Sequence, residues 1–204
     1  NAVTISISSG GEFRTRTRRI IAAPTNLTTL ADIAALSRRA KRLHVTRAEV
    51  RAQLERVSAQ GSVYNRWLIV AVIGISCGAF SQLFGGDAAA FVITWLAAST
   101  AMIVRQTMTQ MYFNTILVTI VTAFVAGLVA SLFALSGMSE TPRAALASSV
   151  LLLVPGVALI NGAEDLIKGY VVTGLARAVQ GALVSLAIAI GLLTAVSLMG
   201  GQTL

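Results

Sequence analysis

Five long apolar segments fill the last two thirds of the chain, and each is close to the length that a helix needs to cross a bilayer. They occupy residues 67–84, 88–104, 113–135, 144 to about 167, and 170–199. About 20 apolar residues span the hydrocarbon layer, where a helix satisfies its backbone polar groups internally. Short connections join the segments, so the sequence predicts an all-α polytopic membrane domain of five antiparallel helices over residues 66–204.

Composition and charge support this class and predict an orientation. Hydrophobic residues make up 55% of the chain and charged residues only 12%, well outside the range of soluble domains. Residues 1–66 contain 12 Lys/Arg and 4 Asp/Glu, whereas residues 67–204 contain four of each. Under the positive-inside rule, the N-terminus is expected in the cytoplasm and, after five spans, the C-terminus on the opposite side of the membrane. The arginines are not interleaved with aromatic residues, so a nucleic-acid partner is not predicted.

The basic region, residues 1–65, is expected to form a small α+β cytoplasmic domain. Alternating apolar and polar residues at 3–8 and 13–18, around a Ser-Gly-Gly turn, predict a hairpin with one basic face. This face is suited to anionic lipid headgroups, with a specific anion or regulatory site as the alternative. The chain begins inside a predicted strand, so a preceding segment is expected.

Two helices should follow the hairpin, at about 29–43 and 47–60. Thr29 with Asp32, and Thr46 with Glu49, stand three residues apart ahead of apolar periodicity. That spacing is typical of a capping box at a helix N-terminus.

The fourth apolar segment contains Pro155-Gly156 near its centre, followed by the polar residues of NGAEDLIKG. Proline removes a backbone donor, and transporters often place substrate sites where a membrane helix is broken. A second half-helix starting near Gly156 would point its positive end at the midplane, where it can hold a carboxylate. Asn161 would add a donor and an acceptor. The alternative is a simple kink without a ligand.

Charged residues beyond the break offer further contacts. Asp165 shares a helix face with Asn161 and is a candidate coupling or gating carboxylate. Arg177 and Arg105 are candidate receptors for an anionic substrate, because a guanidinium matches a carboxylate with two hydrogen bonds. Arg177 can alternatively pair with Asp165. Both arginines can instead mark the membrane interface. Glu164 and Lys168 are interpreted as interfacial charges.

Hydroxyl and small residues within the spans suggest a polar path and close helix packing. Gly74 with Gly78, and Gly127 with Ala123 and Ser131, have the spacing that lets helices approach closely. Seven hydroxyls are candidates for lining a path, although each can also bond its own helix backbone. They belong to Ser99, Thr100, Thr115, Thr119, Thr122, Ser148 and Ser149.

Catalysis and cofactor binding are not predicted. The chain contains one cysteine, Cys77, and one histidine, His44, which are too few for a Cys/His zinc site. Both are interpreted as structural, and no nucleophile-base arrangement is recognisable in the spans. We therefore expect no catalytic residue, no metal and no cofactor.

The residues from 66 to 177 resemble the threonine/serine exporter family. The matching features are Arg66-Trp67, STAMIVRQ at 99–106, ASSVLLLVPGVALIN at 147–161, and TGLAR at 173–177, together with Asp165 and Gly169. The resemblance implies export of small carboxylate metabolites, with succinate and other C4-dicarboxylates first and threonine or serine as the alternative. It carries no binding-site assignment. A non-transporting membrane scaffold or regulator is the third interpretation.

The odd number of predicted spans also suggests an incomplete assembly. Transporters commonly pair two related halves around a site at the midplane, so a five-span chain resembles one half. In the split type of the resembled family, the second half is a separate small membrane protein of the YjjB type. We expect such a five-span partner, the bilayer and a small carboxylate as partners, with self-association as a further option.

Overall fold

The computed structural model describes residues 2–19, 27–42, 46–59 and 64–200. The described chain is mostly helical, with one two-stranded sheet near its start. It divides into two compact units, residues 1–63 and residues 64–204. His44 lies outside the described residues.

The first unit contains an antiparallel hairpin, β1 (Ala2–Ser9) and β2 (Glu12–Arg19), as the alternation predicted. Its register pairs Ile5 with Arg16 and Ile7 with Arg14. The arginines therefore lie on one face of the hairpin, as predicted, and share it with aliphatic side chains of β1. The opposite face is a hydroxyl ladder, in which Thr4 and Thr17 hydrogen bond at 3.0 Å.

Two helices follow, α1 (Leu27–Arg42) and α2 (Arg47–Ala59). The capping box at the start of α2 is confirmed, because Thr46 N donates to Glu49 Oε2 at 3.0 Å and Glu49 N donates to Thr46 Oγ1 at 3.4 Å. The cap predicted at Thr29 is wrong. Thr29 lies inside α1, where the apolar periodicity extends further toward the N-terminus than the capping pattern suggested.

The second unit is entirely helical in its described part. Its elements are α3 (Arg66–Leu83), α4 (Ala88–Gln110), α5 (Thr115–Leu135), α6 (Pro142–Ser149), a 3-10 turn (Leu151–Leu153), α7 (Gly156–Ile167) and α8 (Val171–Leu198). Among the described residues, four helices are long and apolar enough to cross a membrane: α3, α4, α5 and α8. The pair formed by α6 with its turn and α7 meets the same criteria but is bent by 63°, so four or five spans are possible.

Helix α4 is six residues longer than predicted, and this changes the position of Arg105. The apolar run ends at Val104, but helix-favouring polar residues continue the helix to Gln110. The chain then turns at Tyr112, with φ of 60°, and Asn114 caps α5 by accepting from Ile116 N at 2.8 Å. Arg105 therefore lies within α4 and not in a loop.

Small side chains form the core of this unit. Ala97, Ala98 and Ala101 of α4 and Ala123 and Ala126 of α5 are completely buried. The spacing of glycines permits this close approach, because a Cβ at Gly74 would lie 2.1 Å from Ser99 Oγ of the neighbouring helix.

Helices α5 and α8 run in the same direction. Gly191 packs beside Ile120 and Ala123, whereas Gly127 packs beside Leu192 and Ala195. Residue numbers therefore rise together along the two helices. The segment between them must return to the end at which α5 began.

The carboxylate of Asp87 links the α3–α4 loop to the α5–α6 loop. Asp87 caps α4 by accepting from Ala90 N at 2.7 Å, and it also accepts from Ser139 Oγ at 2.7 Å and Glu140 N at 2.9 Å. These bonds, first of all the one from Ser139, lower the pKa of Asp87 to about 2. The entrance to α6 is therefore fixed to the α3–α4 loop.

We expect Asp87→Asn to lower the melting temperature of the purified protein at pH 7, because an amide cannot accept all of these bonds. The native pKa lies below the ordinary value of 3.8, so the carboxylate stabilises the fold fully above about pH 4. Its contribution should fall as the pH drops toward about 2. Thermal unfolding followed by tryptophan fluorescence at several pH values measures this difference.

The matched control is Glu140→Gln, because that side chain makes no hydrogen bond within the described residues. It should melt like the wild type. Equal melting of Asp87→Asn and the wild type at pH 7 would contradict the role given to Asp87.

Candidate functional site

The break in the fourth apolar segment lies where Pro155 enters the chain. After the 3-10 turn, Val154 adopts an extended conformation, with φ of −59° and ψ of 123°, as expected before proline. Helix α7 then starts at Gly156, and no side chain caps its first turn. Leu153 belongs to the buried cluster that contains Ala101 and Ala123, near the middles of α4 and α5.

The break releases one backbone carbonyl from its helical partner. In a continuous helix, Gly156 N would donate to Leu152 O, but here it donates to Val154 O at 2.9 Å. Arg105 Nη1 of α4 donates to Leu152 O instead, at 3.3 Å. The arginine thereby compensates the carbonyl that the proline break left without a helical donor.

Two facing glycines bring α7 and α8 together beyond the break. A Cβ on Gly174 would lie 2.8 Å from Gly162 O and 2.9 Å from Leu166 N. Only glycine allows the backbones to approach this closely without displacement. The close approach brings Asp165 of α7 within reach of Arg177 of α8.

Arg177 and Asp165 form an ion pair, in which Arg177 Nη1 donates to Asp165 Oδ2 at 2.6 Å. The side chain of Asp165 is 19% exposed and that of Arg177 is 47% exposed. The carboxylate of the pair is therefore mostly buried, whereas nearly half of the arginine side chain remains accessible. Glu164 pairs with Lys168 one turn away, with both side chains more than half exposed.

Asn161 and the Pro155-Gly156 step are accessible without being fully exposed. All three residues are partly buried, and the Asn161 amide makes no hydrogen bond within the described part of the chain. A Cβ at Gly156 would meet no atom within 4 Å. There is therefore open space beside the start of α7.

The predicted site residues fall into two groups. Arg105 lies at the break. Asp165 lies nine residues beyond Gly156 along α7, an advance of about 14 Å at 1.5 Å per residue, and Arg177 of α8 pairs with it there. A C4-dicarboxylate is only a few bonds long, so the two arginines are separate candidate positions for its carboxylates.

Most of the predicted path hydroxyls bond their own helices. Thr100, Thr119 and Thr122 each donate to the carbonyl four residues earlier, and Ser149 donates to Leu146 O. Thr115 takes part in these bonds only through its backbone carbonyl, which accepts from Thr119 Oγ1. By contrast, the buried hydroxyl oxygens of two predicted path residues, Ser99 and Ser148, have no hydrogen-bond partner within the described residues, and neither has that of Ser131.

Other groups at the break were not recognisable from sequence. The Leu152 carbonyl can accept a hydrogen bond from Arg105 only because the helix breaks after it, and no side-chain pattern predicts this. The buried thiol of Cys77 lies beside the Leu152 backbone. Gly162 and Gly174 have a recognisable signal, since small residues at both helices are typical of close contacts. Within the described ranges, no group of three or more metal-ligating side chains occurs.

The described helices and the family comparison identify a multi-pass membrane protein of an exporter family. The chain belongs to the threonine/serine exporter family, because the ThrE model, "Putative threonine/serine exporter", matches residues 1–199.

Two curated relatives carry the same description, "Probable succinate transporter subunit YjjP". The protein of Klebsiella aerogenes is 34% identical over 201 residues, which cover 98% of this chain and 77% of the relative. The protein of Escherichia coli K12 is 41% identical over 138 residues, which cover 67% of this chain and 54% of the relative. No solved structure matches the chain.

The glycine contact between α7 and α8 predicts that the fold does not tolerate a side chain at Gly174. Gly174→Ala should force the helices apart and destabilise the fold by about 1–3 kcal/mol, the usual cost of inserting a methyl group into a tight contact. Gly156→Ala is the matched control, because the added methyl group meets open space. Thermal unfolding of the two variants measures the difference, and indistinguishable melting curves would refute the contact.

Proposed function

We propose that this chain is one subunit of a secondary transporter that exports small carboxylates, with succinate and other C4-dicarboxylates as the main substrates. The observation that carries the proposal is the Arg177–Asp165 pair, a cation and a carboxylate held together beside a broken membrane helix. Ionisable residues within membrane segments are costly and typically serve substrate or proton movement. The names of both relatives favour succinate.

Five crossings account best for the helix directions. Because α5 and α8 run parallel, α6 and α7 must together carry the chain back across. A bend of 63° also leaves both half-helices advancing in one general direction, whereas a re-entrant loop reverses direction. Each half contains 12 residues, and with the 63° bend between them the two halves together advance about 30 Å, which matches the hydrocarbon thickness.

The charge distribution supports an N-terminus in the cytoplasm and, with five crossings, a C-terminus in the periplasm. We place the boundary between the basic cytoplasmic domain and the membrane domain at residues 65 and 66. Asn65 supports this boundary, since it caps α3 by accepting from Trp67 N at 3.0 Å. Arg66 lies over the Trp67 ring at 5.4 Å, an arrangement suited to the headgroup layer.

In the proposed mechanism, substrate and Asp165 compete for Arg177. A substrate carboxylate can replace Asp165 on the exposed side of the guanidinium, because the pair leaves nearly half of the Arg177 side chain accessible. Protonation of Asp165 would remove its charge and release Arg177 for the substrate, which couples export to proton movement. Asn161, on the same face as Asp165, can hold the second polar end, and the uncapped start of α7 at Pro155-Gly156 provides a further anion contact.

A second membrane subunit, of the YjjB type, is proposed to cover α7 and the first half of α8. Helix α7 packs mainly against α8 and leaves large side chains uncovered, such as Val157, Ile160 and Ile167. Lipid could cover these apolar groups, but it cannot satisfy the partly exposed ion pair beside them. The word "subunit" in the relatives' names agrees with this arrangement.

Threonine or serine export is the second candidate, and one observation favours it. A zwitterionic amino acid needs a cation for its carboxylate and an anion for its ammonium group, and Arg177 with Asp165 provides both in one place.

Reconstitution tests these functions directly. Proteoliposomes that contain this chain together with a YjjB-type partner should export labelled succinate, and vesicles with either half alone should not. Labelled threonine is measured in parallel. Threonine flux above succinate flux would favour the amino-acid exporter, and no flux of either substrate with both halves present would refute the proposal in favour of a membrane scaffold.

The ion pair is tested by substitution. Arg177→Ala and Asn161→Ala should each reduce succinate export to background at normal abundance, whereas Arg143→Ala, an exposed arginine outside the site, should export normally. The double exchange Asp165→Arg with Arg177→Asp can restore an ion pair but moves the cation to α7. It should remain inactive. Normal export by the exchanged protein, or by both alanine variants, would show that this site assignment is wrong.

A further inference from the structure

Arg105 is the half-buried cation of the second unit that has no carboxylate partner. Within residues 64–200, Arg66 and Arg143 are exposed, while Lys168 and Arg177 each pair with a carboxylate. The guanidinium of Arg105 makes one hydrogen bond in this part of the chain, to the neutral Leu152 carbonyl. Its positive charge is therefore not neutralised by the protein that surrounds it.

An unneutralised guanidinium between membrane helices favours an anionic ligand. It has five N–H donors, and a single 3.3 Å bond to a carbonyl uses one of them. Bonds from a guanidinium to a carboxylate are about twice as strong as bonds between neutral groups and can form in pairs. A substrate carboxylate that reaches Arg105 should therefore displace the Leu152 carbonyl.

Displacement would have a structural consequence, because the Leu152 carbonyl depends on Arg105. Its helical donor, Gly156 N, bonds to Val154 O in the broken form. Without Arg105, the carbonyl of the partly buried Leu152 would lack a hydrogen-bond donor, which is unfavourable in an apolar environment. The chain around residues 151–156 would then rearrange to satisfy it.

We propose that Arg105 is a substrate-carboxylate receptor whose contact with Leu152 acts as a latch on the broken helix. In the empty transporter the latch holds the break in the form described above, and substrate opens it by taking the guanidinium. This inference rests on the proposed export function and adds to it a coupling between binding and movement of the helix. It also explains why Arg105 and Arg177 lie apart: each receives the substrate at a different stage.

The chain contains its own reporter for the latch. Cys77, its single cysteine, is 4% exposed, and its thiol lies beside the Leu152 backbone. Helix α3, which carries Cys77, contacts the 3-10 turn at Leu151–Leu153. Movement of this turn should therefore uncover the thiol.

The experiment measures the rate at which N-ethylmaleimide labels Cys77 in membrane vesicles that contain the full chain and its partner half. Saturating succinate should increase the rate several-fold, and sodium chloride at equal ionic strength should not. Arg105→Ala should label rapidly with or without succinate. Arg105→Lys keeps the charge but lacks the two-pronged geometry, so it should need more succinate for the same effect. Arg143→Ala should behave like the wild type, and Cys77→Ser defines the background.

Succinate export by the same vesicles separates the latch from the function. If export is normal but succinate leaves Cys77 labelling unchanged or slows it, the latch is refuted and the proposed function stands. Protection of Cys77 in Arg105→Ala, at normal abundance, would also refute the latch. If the vesicles export neither succinate nor threonine, it is the proposed function that fails.

Discussion

The fold of the second unit depends on how a proline-broken helix satisfies its backbone within the membrane. Hydrocarbon offers no hydrogen bonds, so each group released at Pro155 needs a partner from the protein. Gly156 N turns back to Val154 O, and the Leu152 carbonyl accepts from Arg105 of α4. The second half-helix then gains its support from α8 through facing glycines. The positions of Arg105 and Arg177 follow from these compensations.

The tightly packed core limits where an anion can lie in the second unit. In the described part of the second unit, the buried side chains that have no exposed surface belong to alanine, serine and threonine, and glycines lie at the closest helix contacts. Such contacts leave little space for an anion between α3, α4 and α5. The groups suited to a carboxylate lie instead at the break and along α7 and α8, where the chain is only partly covered. This distribution agrees with a protein that functions with a partner.

Sequence reasoning predicted the features that depend on composition and local pattern. Apolar length located α3, α5 and α8 to within two residues at each end, and pairing with Asp165 was among the alternatives left open at Arg177. It failed where tertiary contacts decide. The polar end of α4 looked like a loop, because the apolar run stops at Val104 although the helix continues. The role of the Leu152 carbonyl was also missed, since every residue has one and only the break makes this one available.

The length of α8 has a consequence for the membrane in which the protein works. Its 28 residues extend about 42 Å, roughly 12 Å more than a typical hydrocarbon layer. The surplus equals about eight residues, and Arg177 is the seventh residue of the helix. A helix that exceeds the local thickness tilts or thickens the surrounding lipid. The depth of the Arg177–Asp165 pair is therefore set in part by the bilayer, so acyl-chain length becomes a physical variable of the proposed site.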